Sequence, residues 1–236
     1  CNGFATGAGV LMSQYFGMKN EKRVKDALGN SIYLMLGMGI LVSIISVLLA
    51  EPTLRLLNTP ESIFDDALLY TRIVCGGVLA VVLYNGISAM LRALGDSVTP
   101  LIFLIIASIL NVIGDLLFVL VFHMGVAGVA VATILAQTLS ALGCIVYAVL
   151  KNPYFRLKRE NMKPDRILLM KCLRLGIPFG MQGSLIALSC IALQSVINRF
   201  GENVIAAFAA TSRIEQLVQQ PYNSLGTAVA TFTAQN

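Results

Sequence analysis

Apolar residues fall in long unbroken runs along this chain. Residues 27–50, 73–91, 124–150 and 175–198 contain no charged side chain, and residues 100–122 contain one, Asp115. Each run reaches the ~20 residues that a helix needs to cross a bilayer. Two further apolar stretches, 1–17 and roughly 204–235, lie at the ends. The two-residue alternation of a membrane barrel strand is absent. The pattern therefore predicts an all-α, polytopic membrane helical bundle with seven crossings.

Punctuation between the runs sharpens the picture. The first crossing ends at SQYFGMKNEKR, and the second stops at Glu51-Pro52. The connector EPTLRLLNTPESIFDDA is too polar to cross and has room for a short surface helix. Gly95 and Asp96 predict a turn, with Pro100 in the first turn of the next helix. HMGVAG (123–128) predicts the next reversal. The stretch KNPYFRLKRENMKPDR, with two prolines and six basic residues, reads as a linker. This gives a first lobe at 1–150, a linker at 151–174 and the first two helices of a second lobe at 175–236. The sixth crossing is expected to break at Gly176–Pro178, with Gly176 and Gly180 serving close helix packing.

Charge then orients the bundle. If the connectors alternate sides, residues 18–26, 92–99 and 151–174 share one side and hold 13 of the 17 Lys and Arg. Short basic loops stay in the cytoplasm, so a multi-pass plasma (inner) membrane protein with cytoplasmic basic loops is expected. The net charge of +5 follows from that asymmetry and is no sign of nucleic-acid binding. The expected partner is instead the lipid bilayer, with a monomer expected for the full-length form. The five cysteines show no metal spacing and read as free thiols, and no role is assigned to His123. With no HExxH, GxSxG or Walker sequence, an enzyme is not expected.

The chemistry concentrates in ILNVIGDLLFVLVF (109–122). An ionised Asp at a helix centre costs ~2.5–3.5 kcal/mol to insert, against ~0.3–0.6 gained for each large aliphatic residue. Keeping a carboxylic acid protonated at neutral pH, against an ordinary pKa of about 3.9, costs ~4 kcal/mol. Penalties this similar let such a site exchange a proton for a small cation. Asn111 and Asp115, four apart, share a helix face with Ser108. The next run carries Thr133, Gln137, Ser140, Cys144 and Tyr147 at helical spacing. Asp115 and Thr133 each lie seven residues from the shared turn, bounded by Phe122 and Val126. At 1.5 Å per residue both sit ~10 Å from their helix ends, so Asn111, Asp115 and Thr133 form a candidate site for a monovalent cation or proton. Hard oxygen ligands like these suit a monovalent cation or a hydronium-linked water better than a transition metal. The packing alternative is interhelical hydrogen bonding, worth only ~0.6 kcal/mol on average. Gln182, Gln194 and Asn198 are candidates for lining a cavity, and Arg92 reads as an interfacial anchor.

Many transporters are built from duplicated halves, and the two ends of this chain show a weak internal match. Setting 1–15 over 222–236 aligns Asn2 with Asn223, Thr6 with Thr227 and Gln14 with Gln235.

SQYFGMKN (13–20), LRALGDSVTP (91–100), NVIGDLLF (111–118), GVAGVAVATILAQ (125–137), LGIP (175–178) and the terminal TAVATFTAQN, in this order and spacing, resemble the multidrug and toxic compound extrusion (MATE) family. The resemblance runs from that family's second helix to its eighth, so a fragment is expected, with one MATE-like lobe nearly complete and the start of a second. It implies two pseudo-symmetric lobes, alternating access, and antiport of small organic substrates, amphipathic or cationic, against Na⁺ or H⁺ as coupling ion, with no other cofactor. It also implies that Asn111, Asp115 and Thr133 match a first-lobe cation site of some members. Some branches of that family carry a Glu on the seventh helix, and IPFGMQGSLIALSCIALQSVIN holds no acid to match it. The rival in transport is a lipid-linked oligosaccharide flippase of the same superfamily.

Overall fold

The computed structural model describes residues 2–56, 59–197, 200 and 202–236. Among these every regular element is helical. The order is α1 (Asn2–Gly17), α2 (Glu21–Leu56), α3 (Glu61–Gly76), α4 (Val78–Ala93), α5 (Val98–Leu116), a π-helical turn (Leu117–Val121), α6 (Gly125–Lys151), a 3₁₀ turn (Pro153–Phe155), α7 (Arg166–Ile197) and α8 (Glu202–Gln235). Five segments are long and apolar enough to cross a membrane: α2, α3 with α4, α5 with its π turn, α6 and α7. The two terminal candidates do not meet that measure: α1 has 16 residues, and α8 carries Arg213, Glu215, Gln219 and Gln220 in its 34.

The runs extend further as helix than their apolarity does, because backbone groups in lipid have no water to turn to and must pair internally. Thus α2 continues through Pro52 to Leu56, past the expected stop. Its protruding turn is held by Glu51, which pairs with Arg55 at 2.9 Å and with Arg72 at 3.2 Å. The connector's expected surface helix does not form as a separate element: its residues 61–67 begin α3, which continues through Gly77 into α4 as one span. Gly77 between them keeps φ −84° and donates back to the carbonyls of Ile73 and Val74. The expected break at Gly176–Pro178 is absent, since α7 passes through Pro178. One missing N–H removes one bond from the ladder, while the adjoining backbone is pinned against α1. The same helix starts at Arg166, so residues 166–174, read as linker, are helical.

The turns behave as the glycines foretold. Gly95 adopts φ +90° and Gly125 φ +57°, and His123 joins that reversal at φ +53°. Asp96 accepts from the Thr99 amide at 3.0 Å and its hydroxyl at 2.7 Å, closing the start of α5.

Helices in lipid gain little from hiding apolar surface, because the tails are as apolar as leucine, so small residues that permit close approach decide the packing. A Cβ on Gly7 would stand 2.7 Å from the Gly176 nitrogen, and one on Gly3 would strike the Gly180 backbone. Gly176 does serve close packing, against Gly3, Phe4 and Gly7 of α1, whereas a Cβ on Gly180 would meet nothing within 4 Å, so the expectation for Gly180 fails: the close approach there needs the glycine at position 3. Gly39 faces Leu79, Gly86 faces Met35 and Gly77 faces Ile134, fitting α2, α4 and α6 together. The buried core is built from α1 and α4, with Met12, Met90 and Leu91 fully enclosed, and from Leu28, Cys144 and Cys172 of their neighbours.

At the basic end the linker is fastened to α2. Asn30, 1% exposed, donates to the Lys163 carbonyl at 3.3 Å and accepts from the Asp165 amide at 2.7 Å. Asn161 donates to Asp26 at 2.8 Å. Asp165 caps α7 through the Ile167 amide at 2.8 Å and meets Arg23 at 3.6 Å.

Replacing Gly7 by Ala should therefore destabilise the bundle by about 1–3 kcal/mol through overpacking, although alanine is the better helix former. Gly37→Ala, where no atom lies within 4 Å of the added methyl, should instead be neutral or gain up to ~1 kcal/mol. Thermal unfolding followed by size-exclusion in detergent reads both; a rise for Gly7→Ala would refute the close contact.

Candidate cation site between α5 and α6

The site is made by two antiparallel helices in register. Ser140 donates to the Phe103 carbonyl at 2.8 Å, and Asn111 donates to the Thr133 hydroxyl at 3.2 Å. A Cβ on Gly114 would come 3.0 Å from that of Ala132, and one on Gly128 2.9 Å from that of Phe118. Further along, Gly143 admits the Phe103 ring, which meets Tyr147 edge-on at 6.1 Å. Asp115 and Thr133 thus directly follow Gly114 and Ala132, the two residues that bring the helices closest there.

Thr133 has spent its proton, donating to the Val129 carbonyl at 2.9 Å. It is therefore an acceptor toward Asn111, which turns the amide nitrogen to Thr133 and leaves the amide oxygen to face elsewhere. Asp115 is half-buried and bonds to neither Asn111 nor Thr133. Its Oδ1 is shielded from solvent with no hydrogen-bond partner. A buried carboxylate oxygen without a donor is costly in a low-dielectric interior, and a proton or small cation is what removes that cost. The donor set is all oxygen and amide, which fits a hard monovalent ion. Among the described residues no cluster of three His, Cys, Asp or Glu forms a metal site.

Of the other polar candidates, Ser140 serves packing as described. Ser108 is exposed and bonds within its own helix to Leu104 at 3.0 Å. Gln182 lines a cavity between α1, α4, α7 and α8, together with Thr6, Asn223 and Thr227. The aligned pair Thr6 and Thr227 therefore faces one space. Gln194 is exposed, and Asn198 lies outside the described residues.

Three features escaped sequence reasoning. The π turn begins two residues after Asp115, with Phe122 N–H reaching the Leu117 carbonyl at 3.1 Å, and no residue type announces it. Wide turns of this kind often accompany functional sites. Tyr84 donates to the Pro100 carbonyl at 2.7 Å and ties α4 to the start of α5. Asn30 was detectable by the argument that found Asn111: an amide amid apolar residues needs partners.

A multi-pass helical bundle, with half-buried Asn111, Asp115 and Thr133 along the contact of two spans, defines a helical membrane protein. A family profile described as MatE matches residues 1–117. The probable multidrug resistance protein YpnP of Bacillus subtilis (strain 168) is 37% identical over 228 residues, 96% of this chain and 51% of its own length. YoeA of the same organism, also a probable multidrug resistance protein, is 33% identical over 243 residues, 99% and 52% of the two chains. The solved outward-facing structure of a multidrug resistance MATE family transporter of the MOP superfamily superposes with a TM-score of 0.91 at 24% identity, covering 99% of this chain and 52% of that one. The chain belongs to the MATE family, whose members are transporters and not enzymes. It spans about half the length of the curated relatives it matches.

The Asn111–Thr133 bond gives a direct check. A double-mutant cycle with Asn111→Ala and Thr133→Ala should return a coupling of ~0.6 kcal/mol, and at most ~1.7. Strict additivity of the two losses in thermal unfolding would exclude the contact.

Proposed function

We propose that this chain belongs to a secondary transporter that exports amphipathic organic compounds in exchange for Na⁺ or H⁺, with the coupling ion held at Asp115. The observation that carries the reading is the buried, unpartnered Oδ1 of Asp115 beside the Asn111–Thr133 bond. Relatives named for multidrug resistance and multidrug export support the export direction.

In this reading residues 1–150 form one lobe, 151–174 the linker and 175–236 the start of a second lobe. The basic end, carrying the linker, faces the cytoplasm of a plasma-membrane protein, following the preference of short basic loops. Asp115 supplies charge, and the free oxygen of Asn111 and the lone pairs of Thr133 complete an oxygen shell. The Gly114–Ala132 approach sets the spacing of the two helices. Binding of one ion in place of another acts on conformation only through its different affinity for the two access states. The π turn is the element beside the site best suited to register that difference, because its bonds already depart from the α ladder.

The experiment is gradient-driven dye movement in vesicles containing the full-length protein. An imposed Na⁺ or pH gradient should drive efflux, and Asp115→Asn should abolish the dependence on the gradient while the protein still folds. Movement that responds to the gradient unchanged in Asp115→Asn would overturn the assignment.

A further inference from the structure

Two cavities lie along the seam between α4 and α8, of about 510 Å³ toward the basic end and about 390 Å³ deeper in. Arg92, Thr227 and Thr231 line both, so they form one continuous path. Volumes in this range hold small organic ligands. Arg92 is the one charged side chain among the lining residues of either, and no Asp or Glu is present in them. The walls are otherwise neutral, with Phe179 and Phe232 as aromatic faces and the two threonines as hydroxyls.

The Arg92 charge is not already spent. Among the described residues it makes no ion pair. The acid nearest in sequence, Asp96, has both oxygens engaged by Thr99. A guanidinium offers five N–H donors in a rigid fork matched to a carboxylate or sulfonate, and stays charged at any physiological pH. We infer that the seam between α4 and α8 is a binding site for amphipathic organic anions, with Arg92 pairing their acidic group and Phe179 and Phe232 holding their apolar body. This deepens the transport reading above and rests on it for the direction of movement. It also narrows the substrate expectation drawn from the family resemblance, since an uncompensated guanidinium repels a cationic drug. A lipid phosphate could supply the same chemistry, and the test separates the two.

The test is direct binding, without a gradient, to the full-length protein in nanodiscs of phosphatidylcholine alone. Carboxyfluorescein serves as anionic probe and rhodamine 6G as cationic probe, read by fluorescence anisotropy. Wild type should prefer carboxyfluorescein. Arg92→Gln should weaken that probe about tenfold or more, the usual weight of a charge-assisted bond, without weakening rhodamine 6G, and Arg92→Lys should retain part of the affinity. Thr231→Glu, which puts an acid into both cavities, should reverse the preference and decides the matter if Arg92→Gln does not fold. The inference is overturned if wild type binds neither probe or prefers rhodamine 6G, or if Arg92→Gln lowers both affinities alike. It is also overturned if Arg92→Gln leaves carboxyfluorescein binding intact and changes only the retention of added phosphatidylglycerol. Arg92-dependent binding with no gradient-driven movement would defeat the transport reading alone. Gradient-driven movement with Arg92-independent binding would defeat this inference alone.

Discussion

Close approach of helix backbones at small residues is the constraint on which this molecule depends. In water a bundle assembles because apolar faces leave the solvent. In lipid that drive is absent, and contact must come from shape and from polar groups that have nowhere else to pair. Glycine supplies the shape at each crossing that matters: Gly3 and Gly7 against α7, Gly39 and Gly86 between α2 and α4, and Gly114, Gly128 and Gly143 along α5 and α6. A methyl at most of these positions would overlap its neighbour.

The polar chemistry follows from that spacing. Asn111 reaches Thr133 because Gly114 and Ala132 bring α5 and α6 together at the same level. At the next residue along α5 the Asp115 Oδ1 is enclosed without a donor. Packing therefore leaves one carboxyl oxygen enclosed and without a partner. Where polar groups serve only cohesion, their partners are complete, as with Ser140 on Phe103 and Tyr84 on Pro100. Asp115 differs from these in having an enclosed atom unpaired; the hydroxyls of Ser13 and Ser88 share that condition, and of the three described atoms only that of Asp115 belongs to a carboxyl group.

The two ends of the bundle are built differently. At the acidic end a protruding α2 is tied by one carboxylate to two arginines, exposed pairs of modest strength. At the basic end a fully enclosed amide, Asn30, holds the linker by its backbone, and Asp165 both begins α7 and meets Arg23. Contacts of the second kind resist water and position the start of α7 against α2. The seam lined by Arg92 opens beside that firm end, between helices that meet at the Gln235–Ala93 bond of 2.8 Å.

Much of this was settled by the order of residues alone. Uninterrupted apolar runs can only be helices in lipid, so the class of fold and the span limits near Gly95 and Gly125 were legible, as were the basic and acidic ends. Asp115 was legible too, because a charge within such a run has a cost that composition reveals. Local signals failed where neighbours overrule them: α7 passes through Pro178, and α2 outlasts its apolar stretch through Pro52 and a pair of ion contacts. Only the tertiary structure could decide which polar groups are satisfied. Asn111 with Thr133, Asn30 with the linker and Arg92 with an empty-handed cavity wall each depend on distances between helices remote in sequence, and those distances are set by packing, which no single run of residues encodes.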